Sequence, residues 1–333
     1  MTTASVNIEE LRALVAAALE IEPEEVSDEA HFTDELDIDS LLMLEISTRV
    51  ETAFGLPDNT LQLSGARTLA ELHAILVSKA VGETSAQPVI RPRPLRDPAA
   101  RLFLFHHAGG SHLLYRGWAE HFPPDWELCL VEAPGRGHLQ AHPLIDDCDR
   151  LVDYVHNAIA PLLDRPFALF GHSMGALIAY QLTRRLHDEG EPLPTWLGVS
   201  AYGAPRVEAG TDDRPHLMSD DELRAWLRNV GGSTPQLLDN DAVWPTFAPV
   251  FRSDFRLLDT WAPRHDPEPL PVPLSVFGGR RDMLTGEDRL LSWQAFTTRF
   301  CGLEMYEGDH FYVMDHRQPL AAAITAAMRS AGA

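Results

Sequence analysis

Phe167-Ala168-Leu169-Phe170-Gly171-His172-Ser173-Met174-Gly175-Ala176 reads as an apolar strand, a Gly-x-Ser-x-Gly turn and the first residues of a helix. A serine hydroxyl is a poor nucleophile at neutral pH. It needs a base, an acid to orient that base, and donors for the oxyanion. A strand on one side and a helix on the other is the context that makes this turn credible as the seat of a nucleophile. The flanking glycines permit a tight turn, and Gly175 lets the helix come close to the sheet.

Outward from this stretch, everything after Arg101 alternates strand, turn and helix. Candidate strands are 102–106, 127–132, 167–171, 196–201, 274–278 and 303–306. Helical patterns fall at 113–122, 149–163, 174–186, 287–298 and 320–329. Such alternation predicts an α/β fold with a mainly parallel sheet and helices on both faces. The stretch 205–261 breaks the rhythm: it is helical, rich in Trp, Leu and Phe, and reads as a lid inserted over the site.

A nucleophile of this class is followed in the chain by its acid and then its histidine. After Ser173 come His187, His216, His265, His310 and His316. Only His310, in Glu307-Gly308-Asp309-His310-Phe311, directly follows the last strand, where a loop overlooks the carboxyl edge of the sheet. Asp282, in Gly278-Gly279-Arg280-Arg281-Asp282, follows the preceding strand and is placed to reach the His310 ring. No acid stands in Gly203-Ala204-Pro205, the other common location. Backbone N–H groups of Ala108 and Met174 are the candidate oxyanion donors. The pair His106-His107 invites a metal reading, but no carboxylate or cysteine stands at matching spacing, so no metal is expected.

The first 80 residues speak a different language. They hold 16 Asp and Glu against 4 Lys and Arg, so −12 of the net −22 sits in a quarter of the chain. Ile8, Leu11, Leu14, Val15, Ala18 and Leu19 follow helical spacing, as do Ile46, Val50 and Phe54, then Leu69, Leu72, Ile75 and Leu76 behind a Thr68 cap. This predicts a small helical bundle. In Leu36-Asp37-Ile38-Asp39-Ser40-Leu41 a serine opens the second helix, where a helix N-terminus favours an incoming phosphate. Leu41 and Leu44 are expected to form an apolar docking strip, with Glu45 and Glu51 adding surface charge. Residues 82–98, with Pro88, Pro92, Pro94 and Pro98, read as a linker, about 50 Å long if fully extended as polyproline.

Composition excludes several classes. The acidic balance repels nucleic acid and anionic lipid and favours partners with basic patches. No apolar run approaches a membrane span, and the start lacks the basic and apolar regions of a signal peptide. Cys129, Cys148 and Cys301 are scattered and odd in number, which reads as reduced thiols in a cytoplasmic protein.

Residues 100–333 closely resemble the type II thioesterases of polyketide and nonribosomal peptide assembly lines. The stretches that carry the resemblance are Phe105-His106-His107-Ala108-Gly109-Gly110, Ala133-Pro134-Gly135-Arg136, Gly171-His172-Ser173-Met174-Gly175-Ala176, Gly278-Gly279-Arg280-Arg281-Asp282 and Gly308-Asp309-His310-Phe311. Two positions depart: His106 stands where proline is usual, and Gly137-His138 where an acidic residue is usual. The resemblance implies an α/β-hydrolase fold with a helical lid, and hydrolysis of acyl groups from carrier-bound thioesters. Residues 5–80 look like an acyl carrier protein, a four-helix bundle with Asp39-Ser40-Leu41 as attachment motif. Asp37 replaces the usual glycine, as in some carriers of mycolate-type fatty acid synthesis. That resemblance implies 4′-phosphopantetheine on Ser40, installed by a phosphopantetheinyl transferase. It also implies synthase or synthetase modules and other carrier proteins as partners. The expected organisation is carrier 1–80, linker 81–98 and thioesterase 99–333. The competing expectations are release of the acyl group onto an amine or alcohol, as in a transferase or cyclase, and an inert hydrolase scaffold.

Overall fold

Apolar residues at alternating positions of each central strand divide between the two faces of one sheet. The computed structural model describes residues 7–331 except 20, 33–34, 37, 39, 55–65, 67, 81–86, 206–212, 233–234 and 264–267, and describes no side chains at 40, 41, 44, 77–80, 235 and 236. The chain divides into two units, Met1–Gln87 and Pro88–Ala333.

The first unit contains α1 (Ile8–Leu19), α2 (Ser40–Phe54) and α3 (Leu69–Ala80) among its described residues. Leu11, Val15, Phe32, Ile38, Ile46, Val50, Leu69, Leu72 and Leu76 form its buried core. Thr68 Oγ1 accepts the Glu71 N–H at 3.2 Å and starts α3 as its capping residue. One expectation needs correcting. Glu51 is buried at 2 % exposure, one step around the helix from Val50, whereas Glu45 is exposed and pairs with Arg49 at 2.5 Å. The expected strip at Leu41 and Leu44 lies outside the described side chains.

The second unit runs β1 (Val89–Ile90), β2 (Ala100–Phe105), β3 (Trp126–Val131), α4 (Cys148–Ile159), β4 (Phe167–His172), α5 (Met174–Asp188) and β5 (Trp196–Ser200). Then come α6 (Asp220–Val230), α7 (Pro235–Leu238), α8 (Trp244–Thr260), β6 (Leu270–Gly279), α9 (Glu287–Leu291), β7 (Thr297–Tyr306) and α10 (Arg317–Ala331). The strands form one sheet in the order β1-β3-β2-β4-β5-β6-β7, parallel except for β1. Phe103, Cys129, Leu169, Val199 and Val276 pack with residues of α4 and α5 on one face. Leu102, Leu104, Leu128, Leu130 and Phe170 pack with Tyr115, Trp118 and α10 on the other. Both faces are covered, as near-continuous apolar strands require. Helices α6, α7 and α8 stand between β5 and β6 with a small core of their own, including Leu223, Leu227, Leu238, Trp244, Phe251 and Phe255.

Three local expectations change. The predicted helix 113–122 is two short 3₁₀ turns, His112–Tyr115 and Trp118–His121, separated by Gly117 at φ 74°. A left-handed residue there stops helix propagation. The predicted helix 287–298 gives way to 3₁₀ geometry at Ser292 and to β7 at Thr297. The predicted linker stops at Gln87. Pro88 carbonyl oxygen accepts the Glu132 N–H at 2.7 Å, and Val89–Ile90 pair antiparallel with Leu130–Val131. Leu95 N–H reaches the buried Glu127 Oε1 at 2.7 Å. This segment covers the otherwise open edge of β3 and satisfies a buried carboxylate, so the full 50 Å reach is lost.

Candidate functional site

Between β4 and α5 the backbone turns so sharply that Ser173 takes φ 55° and ψ −119°. Such a conformation is strained for a residue with a side chain. Close packing on both sides enforces it. A Cβ at Gly171 would stand 2.0 Å from the Gly175 carbonyl oxygen, and one at Gly175 would stand 2.2 Å from that of Phe105. Ser173 N–H donates to the Ser200 carbonyl at 2.8 Å, tying the turn to β5.

The loops after β6 and β7 bring two further residues to this serine. His310 Nδ1–H donates to Asp282 Oδ2 at 2.8 Å, which leaves Nε2 to accept from the Ser173 hydroxyl at 2.9 Å. The Asp282 side chain is fully buried, and its Oδ1 accepts the N–H groups of Leu284 at 2.8 Å and Thr285 at 3.1 Å. The carboxylate is therefore fixed from one side by backbone and from the other by imidazole. The structure thus brings Ser173, His310 and Asp282 into one hydrogen-bonded chain. His316 lies apart, bonded to the Glu307 carbonyl at 2.6 Å.

Ala108 lines a cavity of about 230 Å³ together with Ser173, His310, Phe311 and residues of the inserted helices, including Trp226 and Phe251. Met174 begins α5 directly after the serine. A second cavity of about 390 Å³ also opens on Ser173 and His310, walled by Tyr202, Trp226, Phe255, Leu258 and Trp261. The site therefore has two largely apolar chambers meeting at one hydroxyl.

Three histidines around the site stay neutral. Burial depresses His107 to about 4 and His172 well below the usual imidazole value, and lowers His106 as well. His106 Nε2 accepts the Ala133 N–H at 3.2 Å, so its Nδ1–H donates to the His107 carbonyl at 2.8 Å. His107 Nδ1–H in turn holds the Ala108 carbonyl at 2.9 Å. These bonds fix the peptide planes of the loop beside Ser173.

Sequence reading missed the tie between that loop and the inserted helices. Asp254, fully buried on α8, accepts the Gly109 N–H at 2.7 Å and both Nη groups of Arg136 at 2.6 and 2.7 Å. An aspartate on the buried side of an apolar helix was the available signal, since a buried charge demands a partner. Glu132, also fully buried, lies at the end of β3. Burial alone would raise its pKa, but the hydrogen bond from His112 and the neighbouring His138 imidazole hold it down at about 2.

In the first unit, Ser40 is the first residue of the 15-residue helix α2. A helix N-terminus is a favourable place for a negatively charged phosphate.

Comparison with known proteins gives two family matches. The family described as Thioesterase domain matches residues 100–328, and the one described as Phosphopantetheine attachment site matches residues 9–76. The chain is 33 % identical to the gramicidin S biosynthesis protein GrsT of Aneurinibacillus migulanus over 218 residues, 65 % of this chain and 84 % of that one. Among solved structures it is similar to the type II thioesterase BorB from the borrelidin biosynthetic cluster. The identity is 32 % and the TM-score 0.65, over 72 % of this chain and 97 % of that one. YbtT, the type II thioesterase of a yersiniabactin pathway, is 26 % identical with TM-score 0.67, over 73 % and 99 %.

Proposed function

Because the chain belongs to the thioesterase family and carries a phosphopantetheine attachment domain ahead of the hydrolase, we propose that Ser173 is the nucleophile that cuts acyl thioesters, with His310 as base and Asp282 as its orienting acid. The α/β-hydrolase fold, the helical bundle and the thioesterase activity follow from family membership. A covalent arm on a carrier serine supplies a thiol that bears the acyl group as a thioester, and Ser40 is the serine we assign to it. Domains of this kind work with synthetase modules and a phosphopantetheinyl transferase. The relatives' names support assembly of a polyketide or nonribosomal peptide as the setting here.

The observation that carries the mechanism is the unbroken chain from Asp282 through His310 to Ser173. His310 Nε2 takes the hydroxyl proton as Oγ attacks the thioester carbonyl, and then returns it to the leaving thiol. The N–H groups of Ala108 and Met174 receive the developing negative oxygen. Water, deprotonated by the same imidazole, then frees the acid and restores Ser173. Asp282 holds the ring in its tautomer throughout and favours the imidazolium that forms. Hydrolysis is favoured over transfer to an amine or alcohol by the thioesterase relatives.

The test is intact-protein mass spectrometry of the full chain loaded with an acyl group. The native protein should release free acid, while Ser173→Ala should retain the acyl load on the first 87 residues. Equal release by both proteins would overturn the assignment.

A further inference from the structure

Sequence spacing set aside a metal at His106-His107, yet the fold collects donors from other positions. Glu132 stands at the carboxyl end of β3 with its side chain fully buried. Its Oε1 accepts the His112 backbone N–H at 3.1 Å. Its Oε2 faces two imidazoles: it is hydrogen-bonded to His112 Nδ1 and lies 3.6 Å from His138 Nδ1. One donor atom from each of His112, Glu132 and His138 falls within 4.8 Å of the others. The two rings stand edge to face, 5.7 Å between centroids.

Gly137 keeps this point accessible. Its φ is 50°, and a Cβ there would stand 2.4 Å from Oε2 and 3.8 Å from the His112 ring. Burial falls in steps: Glu132 is closed at the bottom, His112 is 19 % exposed and His138 33 % exposed, which gives an ion a way in from solvent.

We propose that His112, Glu132 and His138 form a binding site for a divalent transition metal of the zinc class. Two neutral imidazoles and one carboxylate are a known donor set of three-ligand zinc sites, with the fourth position left to water. Ligands at zinc distances in a tetrahedron stand about 3.3 Å apart. The His138–Glu132 separation is already close to that, and binding replaces the His112–Glu132 hydrogen bond with two bonds to the ion. The His112 amide on Oε1 holds the carboxylate in place, as the supporting partners of metal ligands do.

The position gives the ion a task separate from thioester cleavage. His112 follows the loop that carries Ala108, while His138 follows Arg136, which grips Gly110 carbonyl oxygen and Asp254 of α8. A bound ion would clasp the loops after β2 and β3 together beneath the inserted helices. It would stiffen the side of the site where the oxyanion donors sit without touching Ser173.

The experiment uses the full chain freed of metal with a chelator and titrated with zinc chloride by calorimetry, with bound metal counted after dialysis. A second three-residue cluster, His156, Glu189 and Glu191, serves as internal control. The expected result is one zinc per chain. Affinity should fall roughly 100-fold or more in both His138→Ala and Glu132→Gln, taking the outer range for partner loss as a floor, and stay unchanged in His156→Ala. Circular dichroism checks that each variant is folded, and cobalt(II) in place of zinc should give the visible bands of a low-coordinate N/O site. No zinc retained by the native chain would show a plain hydrogen-bonded pair and overturn the proposal. So would zinc that survives His138→Ala or departs with His156→Ala. Thioester cleavage is not the readout, so failure here leaves the reading of Ser173 standing.

Discussion

Two carboxylates at the same edge of the sheet, Asp282 after β6 and Glu132 after β3, are built almost alike. Each side chain is fully buried, each accepts at least one backbone N–H, and each takes an imidazole Nδ1. They differ in what lies beyond the imidazole. The His310 ring passes its far nitrogen to the Ser173 hydroxyl, whereas His112 and His138 turn their near nitrogens on one oxygen. On the readings proposed above, the same local chemistry serves as a proton relay when it is strung in a line and as a ligand cradle when it converges on a point.

The largest effect that tests this contrast is loss of the hydroxyl itself. Ser173→Ala should lower kcat for a small soluble thioester by up to about 10⁶-fold, measured by release of free thiol. Next comes a direct confrontation of the two carboxylates. Asp282→Asn should cost about 10⁴-fold in kcat, because the amide holds the wrong tautomer of His310. Glu132→Gln should leave kcat within roughly tenfold, since no reacting atom touches it. Equal losses in both folded variants would erase the distinction.

A fourth variant probes the tie between α8 and the loops after β2 and β3. Asp254→Ala strips the buried Arg136 guanidinium of its partner, and removing one member of such a pair costs about 3–5 kcal/mol. Urea denaturation of the hydrolase unit should show that loss; an unchanged midpoint would mean the tie to α8 carries no weight.

The smallest effect is in pH. His106, His107 and His172 are kept neutral by burial, with His107 at about 4. Unfolded histidines bind a proton below about 6.5, so the unfolded state gains protons first as pH falls. Stability should be level above that value and decline from there towards about pH 4, by at most about 1.4 kcal/mol per pH unit for each histidine. Thermal melts between pH 7 and 4.5 would read this slope. Replacing His107 with Gln should make it shallower, leaving the part due to His106 and His172.

The juxtaposition of Ser173, His310 and Asp282 was legible because each follows a strand whose apolar run is unmistakable, and the topology delivers all such loops to one edge. Asp254 was not legible: its partner Arg136 lies 118 residues away, and only the packing of α8 brings them together. Glu132 was hidden for the same reason, its histidines being drawn from two loops that the parallel pairing of β2 and β3 sets side by side. Glu51 shows the opposite failure. A charged residue beside Val50 reads as surface, but its turn of α2 faces the core. The prolines of 88–98 disguised β1, because they signal an unpaired chain while one unpaired edge was waiting for a strand.

That two-residue strand has a practical bearing on how the catalytic half is prepared. A clone cut at residue 99, where the alternating pattern begins, would strip the flank of β3 and leave its amides and carbonyls open to a second molecule. Unprotected flanks of this kind nucleate aggregation. Starting ahead of Pro88 keeps the flank sheathed, so the shorter fragment should precipitate where the longer one remains monodisperse.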